Sequence, residues 1–231
     1  WFEWLSVGEA VGRVVLQLSV PSVVGRNLLS ELKAEEMTPG EVTDETEWLL
    51  VGPPRSGTRW HFDPHGVSGY NILFEGRKLW LFWSTSREQS IGWGQGWGEA
   101  SMPFLPPELN KSATEWVLSV LPAWFTASNT RNSSAAVDTD YAGPMPARAR
   151  FAHLRFAVQT AGDMVYVPHG LWHCVVNLSD TVAFQGQLVN LYNAAVALQT
   201  CAEYAPLFTE RLQAHMQHDR LSEGSSNHSR Q

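Results

Sequence analysis

Short apolar runs rich in Trp, Phe, Val and Tyr, separated by turn-forming and charged residues, cover most of the chain after residue 47. Runs of about four to eight such residues bounded by glycine or proline are typical of strands. The pattern predicts strands at 48–51, 60–63, 70–74, 78–83, 155–158, 164–167, 172–176 and 181–187. Many short strands with few helices favour a mainly β protein, a sandwich or a barrel.

Apolar residues at helical spacing predict three helices, at 26–35, 112–120 and 193–220, with a frayed tail after the last. Ser112 and Glu115 form a capping-box pattern at the start of the second helix. Composition predicts loops for 84–110, rich in Gly and Trp, and for 129–149. We therefore divide the chain into the following parts: a flank 1–47, a barrel 48–192 with an insertion 84–150, and a C-terminal helix and tail 193–231.

The composition, 44% hydrophobic and 17% charged over 231 residues, predicts one folded domain. Eleven Trp predict a Trp-rich core or deep pocket. The net charge of -7 argues against nucleic acid as a partner. The chain has no run of about 20 apolar residues, which argues against a membrane as a partner. Two cysteines are too few for a disulfide framework, and no signal peptide is visible. We therefore expect an intracellular location, nucleus or cytoplasm. Because the chain begins at Trp1 and not at Met, we also expect a longer parent sequence.

The candidate chemistry begins with His61 and Asp63, which are one residue apart on a predicted strand. Alternate residues of a strand project from the same face, so an imidazole and a carboxylate would lie side by side. They make two thirds of a facial triad, which holds Fe(II) and leaves coordination positions open. His173, on a later strand, is the candidate for the third ligand. Each His alone is also typical of a hydrogen-bonded core residue.

The glycine-rich loop before these residues invites comparison with a phosphate-binding loop. Gly52 and Gly57 flank four residues and Thr58 follows. The phosphate-binding motif needs a Lys before the Thr and a helix after it. Here that Lys is absent and a predicted strand follows, which argues against a nucleoside triphosphate site.

Two segments carry a resemblance to a known family. Residues 52–83, GPPRSGTRWHFDPHGVSGYNILFEGRKLWLFW, and residues 162–178, GDMVYVPHGLWHCVVNL, resemble the JmjC family, and within it the lysyl hydroxylase and arginine demethylase subgroup. The resemblance covers most of 18–190 and is specific in these two segments. It implies a double-stranded β-helix, or jelly roll, with flanking helices. It also implies an oxygenase that uses Fe(II), 2-oxoglutarate and O2 to hydroxylate or demethylate Lys or Arg side chains of a protein or peptide substrate.

The resemblance also implies a role for each matching position. The iron ligands fall on His61, Asp63 and His173. The residue that pairs with the distal carboxylate of 2-oxoglutarate falls on Lys78. Further cosubstrate contacts fall on Thr58, Asn71 and, where the subgroup has a Thr, Gln185.

Two other functions stay open on the sequence: a non-catalytic JmjC scaffold, and a cupin-type metal enzyme that needs neither 2-oxoglutarate nor Lys78. The oligomeric state stays open as well. Strand alternation and position place His65 at the rim and His169 in a turn. We therefore expect neither to replace a ligand. Trp93 and Trp97, in the insertion, could overhang the pocket.

Overall fold

The structure, a computed structural model, describes residues 3–5, 25–31, 46–83, 106, 108–123, 154–202 and 205–228. The strands in these segments are β1 Glu3–Leu5, β2 Glu47–Gly52, β3 Gly57–His61, β4 Ser68–Glu75, β5 Arg77–Trp83, β6 Leu154–Thr160, β7 Met164–Val167, β8 Trp172–Asn177 and β9 Thr181–Leu188. The helices are α1 Leu28–Glu31, α2 Ala113–Glu115, α3 Ala194–Cys201 and α4 Pro206–His228, and a π-helical turn, Trp116–Val120, follows α2. No helix described is both long and apolar enough to cross a membrane.

The strands form two sheets. Sheet A has the order β1-β2-β9-β4-β7, and sheet B has the order β3-β8-β5-β6. Every pairing in both sheets is antiparallel. From β2 to β5, and again from β6 to β9, the chain alternates between the sheets. This winding is that of a jelly roll, so the fold class predicted from the sequence is confirmed.

Sheet B is covered on its outer face by an aromatic cluster around Trp60, Trp83 and Trp116. The ring of Trp60 meets those of Trp116 and Trp83 edge to face, at centroid distances of 5.2 and 6.5 Å. Edge-to-face contacts of this kind add to the free energy gained by burying the rings. The segment formed by α2 and the π-helical turn supplies Trp116 and closes this side of the core. The expected Trp-rich core is therefore present.

The helices at the other end of the barrel pack on one apolar cluster. Leu28 of α1, Phe208 and Leu212 of α4, and Val67 and Val189 of the barrel are all buried in it. Side chains at the spacing of Phe208 and Leu212 lie on the same face of a helix, which explains why α4 packs along one stripe. This cluster anchors the start of β4 and the end of β9.

The C-terminal segment contains two helices where the sequence predicted a single one. α3 ends at Cys201, and α4 begins at Pro206. Proline has no N–H to donate and favours the first turn of a helix, so a new helix begins there. The helix then continues to His228, beyond the predicted end at residue 220.

The predictions before and inside the barrel need smaller changes. The first predicted helix begins at Leu28, and its second half lies outside the described residues. Ser112 caps the second helix as expected, because its Oγ accepts a hydrogen bond from the Glu115 N–H at 3.2 Å. Its last five residues form a π-helical turn where an α-helix was predicted. The strand β1 was not predicted. The loop 129–149 and most of 84–110 lie outside the described residues.

The strand that carries the first histidine differs from its prediction. β3 runs from Gly57 to His61, whereas the sequence predicted a loop up to Thr58 and a strand at 60–63. Asp63 therefore lies after the strand, and strand alternation is not what brings it beside His61.

Candidate metal centre

A pocket of about 480 Å³ lies between the two sheets. Sheet A contributes Trp48 and Leu50, and sheet B contributes Trp80 and Val175. All seven residues that the sequence pointed to line this one pocket: Thr58, His61, Asp63, Asn71, Lys78, His173 and Gln185. The fold thus brings together residues that are up to 127 positions apart in the chain.

A β-bulge in β3 determines which of its side chains reach the pocket. Thr58 pairs with Val175 of β8 and His61 pairs with His173, so three steps along β3 match two along β8. The extra residue turns the strand locally. As a result Thr58, Arg59 and His61 all line the pocket, whereas Trp60 packs in the outer aromatic cluster.

The two histidines are held in matching orientations. His61 and His173 are directly paired on β3 and β8, and their ring centroids are 4.1 Å apart. The Nδ1 of His61 is 2.7 Å from the carbonyl oxygen of Arg59, and the Nδ1 of His173 is 2.9 Å from that of Leu171. A carbonyl oxygen only accepts, so each Nδ1 must carry the proton. Each Nε2 is then left with a lone pair for a metal ion.

Asp63 supplies the carboxylate of the group. Its Oδ2 is buried and has no hydrogen-bond partner within the described part of the chain. Burial raises the pKa of this carboxyl, and the nearby His61 partly opposes the rise. Gly69 makes room for it, because a Cβ at that position would lie 2.6 Å from Asp63 Oδ2. A buried oxygen without a donor indicates that a cation completes this site.

His61, Asp63 and His173 each offer one ligand atom, and these atoms all lie within 4.8 Å of one another. Burial, and after it the proximity of His61, lowers the pKa of His173 to about 3, so its imidazole is neutral and can bind a metal. Two imidazoles and one carboxylate suit a divalent transition metal with open coordination positions, Fe(II) among them. The side chains present therefore fit the metal that the sequence led us to expect.

Lys78 is a buried cation in the same pocket. Only 2% of its surface is exposed, and it makes no hydrogen bond or ion pair with the residues described. Burial lowers the pKa of its ammonium group to about 8. An unpaired ammonium group is costly to bury, so an anion that pairs with Lys78 would bind favourably at this point of the pocket.

Asn71 and Gln185 form an amide pair on sheet A. They are directly opposite each other on β4 and β9, and Asn71 Nδ2 donates to Gln185 Oε1 at 2.9 Å. Asn71 Oδ1 is buried and has no partner among the described residues. The oxygen of the Gln185 amide is thus engaged, whereas its NH2 group can donate to a ligand in the pocket. Thr58 is half-buried on the opposite sheet and adds a hydroxyl.

Sequence reasoning missed the groups that support the site. The Trp80 ring stacks against His173 at a centroid distance of 6.0 Å, and its Nε1 donates to Gln159 Oε1 at 2.8 Å. Gln159 is buried, and its Nε2 donates to the carbonyl oxygens of Asn71 and Asp163 at 3.0 and 3.1 Å. Gln159 thus joins the two sheets behind the pocket. Trp80 lies two residues after Lys78 and so on the same face of β5, a signal that could have identified it.

The other candidate residues lie elsewhere. His65 adopts a left-handed backbone conformation at φ 62° after Pro64, and His169 follows β7; neither belongs to the ligand group. Cys174 faces the outer aromatic cluster, opposite to His173, in keeping with the alternation of side chains along β8. Trp93 and Trp97 lie outside the described residues.

The sequence of the chain is similar to those of known proteins with a cupin-like domain. The profile of the cupin-like domain family matches residues 13–193. The lysine-specific demethylase JMJ21 of Arabidopsis thaliana is 28% identical over 202 residues, which are 86% of the chain and 17% of JMJ21. The chain belongs to the cupin-like JmjC family. This JmjC chain is also similar to the bifunctional arginine demethylase and lysyl-hydroxylase psr-1 of Caenorhabditis elegans, at 29% identity over 59% of the chain and 28% of psr-1.

Other relatives extend the comparison. The arginine-specific demethylase JMJ22 of Arabidopsis thaliana is 23% identical over 62% of the JmjC chain and 23% of JMJ22. The chain thus spans less than a third of each of these three relatives. Among solved structures, the cysteine peptidase peruvianin-I from Thevetia peruviana latex matches 62% of the chain and 48% of its own, at 16% identity and a TM-score of 0.31. A likeness this low has no bearing on function.

Proposed function

We propose that this JmjC chain is an oxygenase dependent on Fe(II) and 2-oxoglutarate, which hydroxylates or demethylates Lys or Arg side chains of proteins. The observation that carries the proposal is the buried Lys78, which has no partner among the described residues and lies in the same pocket as the His61, Asp63 and His173 group. A pocket with a metal-binding group and a separate buried cation suits a ligand that is both a chelator and an anion. 2-Oxoglutarate has a keto acid at one end and a second carboxylate at the other.

Different side chains of the pocket would bind the metal and the cosubstrate. The Nε2 atoms of His61 and His173 and the carboxylate of Asp63 would hold the metal. Lys78 would bind the distal carboxylate of 2-oxoglutarate, and a charged hydrogen bond in a buried pocket is stronger than a neutral one. Asn71, Gln185 and Thr58 would add hydrogen bonds to the cosubstrate. A donor from the Gln185 amide replaces the hydroxyl that the subgroup has at this position.

The apolar walls of the pocket have a separate part in the chemistry. When bound, iron with 2-oxoglutarate and O2 supplies an oxidation in which one oxygen atom enters a substrate C–H bond and the other enters succinate, with release of CO2. Four apolar or aromatic side chains line the pocket and would exclude water from the reacting groups: Trp48, Leu50, Val175 and Trp80. Trp80, held by Gln159, would keep the His173 ring in place.

The choice of a protein substrate is supported by the relatives. Their names describe demethylation of lysine or arginine, and for psr-1 also lysyl hydroxylation. The net charge of -7 suits association with a basic segment. Hydroxylation and demethylation would follow from the same site, because an N-methyl carbon that is hydroxylated breaks its bond to nitrogen and leaves as formaldehyde, with the proton of its hydroxyl passing to the nitrogen.

The test is succinate production from 2-oxoglutarate with Fe(II), ascorbate and O2, with and without a pool of Lys- and Arg-rich peptides, both unmethylated and N-methylated. We expect succinate formation that rises with peptide. Mass spectrometry of the peptides separates the two outcomes, since hydroxylation adds one oxygen and demethylation removes a methylene. No succinate, together with no binding of 2-oxoglutarate to the iron-loaded protein, would contradict the proposal and favour the scaffold or the cupin-type enzyme.

A further inference from the structure

The bulge in β3 places a second cation at the pocket. Between Thr58 and His61 the strand has one residue more than its partner β8. Arg59 therefore lines the pocket on the same side as these two residues. Its side chain is exposed, and no hydrogen bond or ion pair joins its guanidinium group to the rest of the described chain. Arg59 is thus an unengaged cation at the open side of the pocket.

The charges that line the pocket are unequal. Asp63 is the one acidic residue among the lining residues described, against the cations Lys78 and Arg59. With the proposed ligands bound, the charges of Fe(II) and Lys78 are balanced by Asp63 and the two carboxylates of 2-oxoglutarate. The charge of Arg59 then has no counter-charge. A substrate segment with only positive charges would be repelled there, whereas a carboxylate matches the planar donors of a guanidinium group.

We propose that Arg59 selects protein substrates that carry an acidic residue next to the target Lys or Arg. This inference rests on the proposed function and names the substrate class of the same site. The target side chain would extend to the metal group while its acidic neighbour pairs with Arg59 at the opening. The wider acidic charge of the chain still favours basic segments, so the preferred substrate has mixed charge around the target.

The test compares three peptides that differ at one position. Each carries the same target, taken from the peptides that stimulate succinate formation, and its neighbour is Glu, Gln or Lys. Acetylated and amidated ends remove the terminal charges. Binding is measured by fluorescence anisotropy on protein loaded with Mn(II) and 2-oxoglutarate, and kcat/KM is measured with Fe(II).

In the wild type we expect Glu to be preferred over Gln, and Gln over Lys, by roughly threefold at each step, as for a partly exposed ion pair. Arg59→Glu should reverse the order in both measurements. Arg77→Gln is the matched control, because Arg77 is an exposed arginine of the same sheet that does not line the pocket, and it should keep the wild-type order.

The outcomes separate the two proposals. Equal binding and turnover of the three peptides by the wild type, or the same order in Arg59→Glu, would overturn the role of Arg59 while leaving the oxygenase intact. A wild type that neither forms succinate nor binds 2-oxoglutarate would overturn the proposed function. Reversal of the order in Arg59→Glu alone would establish the selection.

Discussion

His61 and His173 each donate Nδ1–H to the carbonyl oxygen of the residue two positions earlier, Arg59 and Leu171. The two imidazoles are thereby held in matching orientations, and one ligand atom of each lies within 4.8 Å of the other and of a carboxylate oxygen of Asp63. Because β3 and β8 are paired strands of one sheet, this arrangement exists before any metal binds. A preformed site loses little conformational freedom on binding, which favours affinity.

We expect Asp63→Ala to abolish metal binding without unfolding the protein. Its removal takes away the one negative ligand, and the buried Oδ2 has no protein partner to lose among the described residues. In the wild type, Mn(II) at ~100 times its Kd should stabilise the fold by about 2.7 kcal/mol, which thermal unfolding detects. Asp63→Ala should show no such stabilisation.

The matched control for this change is His65→Ala, since His65 is near the ligands in sequence and outside the ligand group. It should keep the response of the wild type to Mn(II). A metal response that is lost in His65→Ala and retained in Asp63→Ala would show that the ligand assignment is wrong.

We expect Lys78→Ala to weaken 2-oxoglutarate binding by at least about 30-fold, the equivalent of ~2 kcal/mol, because a buried carboxylate would lose its charge partner. Lys111→Ala is the control, because Lys111 lies away from the pocket in an exposed cluster with Glu108 and Glu115. Isothermal titration of the Mn(II)-loaded variants measures the effect. Equal affinities of the two variants would favour a cupin-type enzyme that does not use Lys78.

The pH dependence of the free energy of unfolding should show the effect of burying Lys78. Its pKa is about 8 in the folded protein, below the ordinary value of 10.5. The unfolded state therefore binds more protons between these two pH values, so stability rises as the pH rises through them. Relative to Lys78→Met, the ligand-free wild type should gain about 3 kcal/mol from pH 8 to pH 10.5. Urea unfolding across this range tests it, and parallel curves for the two proteins would contradict it.

We expect Gly69→Ala to lower metal affinity roughly 10- to 100-fold, as for other changes beside a metal ligand. The new Cβ would lie 2.6 Å from Asp63 Oδ2 and 3.2 Å from Gln185 Nε2, so the carboxylate must move. Gly57→Ala is the contrast, because its Cβ would meet the backbone oxygen of Val175 and strain β3 itself. Thermal unfolding and Mn(II) titration should show a loss of stability in Gly57→Ala and a selective loss of metal affinity in Gly69→Ala. Unchanged metal affinity in Gly69→Ala would show that Asp63 can move freely.

Much of the fold could be predicted because its strands are short apolar runs with clear breaks. β4, β5, β8 and β9 each cover their predicted ranges, and they carry Asn71, Lys78, His173 and Gln185 into the pocket. These residues lie in regular strands, where alternation decides the direction of each side chain.

The features that could not be predicted depend on contacts with distant parts of the chain. The bulge in β3 depends on the pairing of this strand with β8, which lies more than 100 residues further along the chain. No residue in β3 predicts it. The bulge accompanies the position of Arg59 at the pocket, and β3 ends at His61, before Asp63. The position of Gln159, which spans the two sheets, is equally a product of the tertiary structure.

The two histidines of the metal group and the amide pair belong to different sheets. His61 and His173 belong to sheet B, whereas Asn71 and Gln185 belong to sheet A. Substitution of Asn71 or Gln185 should therefore alter the hydrogen bonds proposed for 2-oxoglutarate and leave the two histidines in place. Under the proposed function, a variant without the amide pair should still bind metal, so loss of the cosubstrate contacts would turn a catalytic site into one that only binds a metal ion.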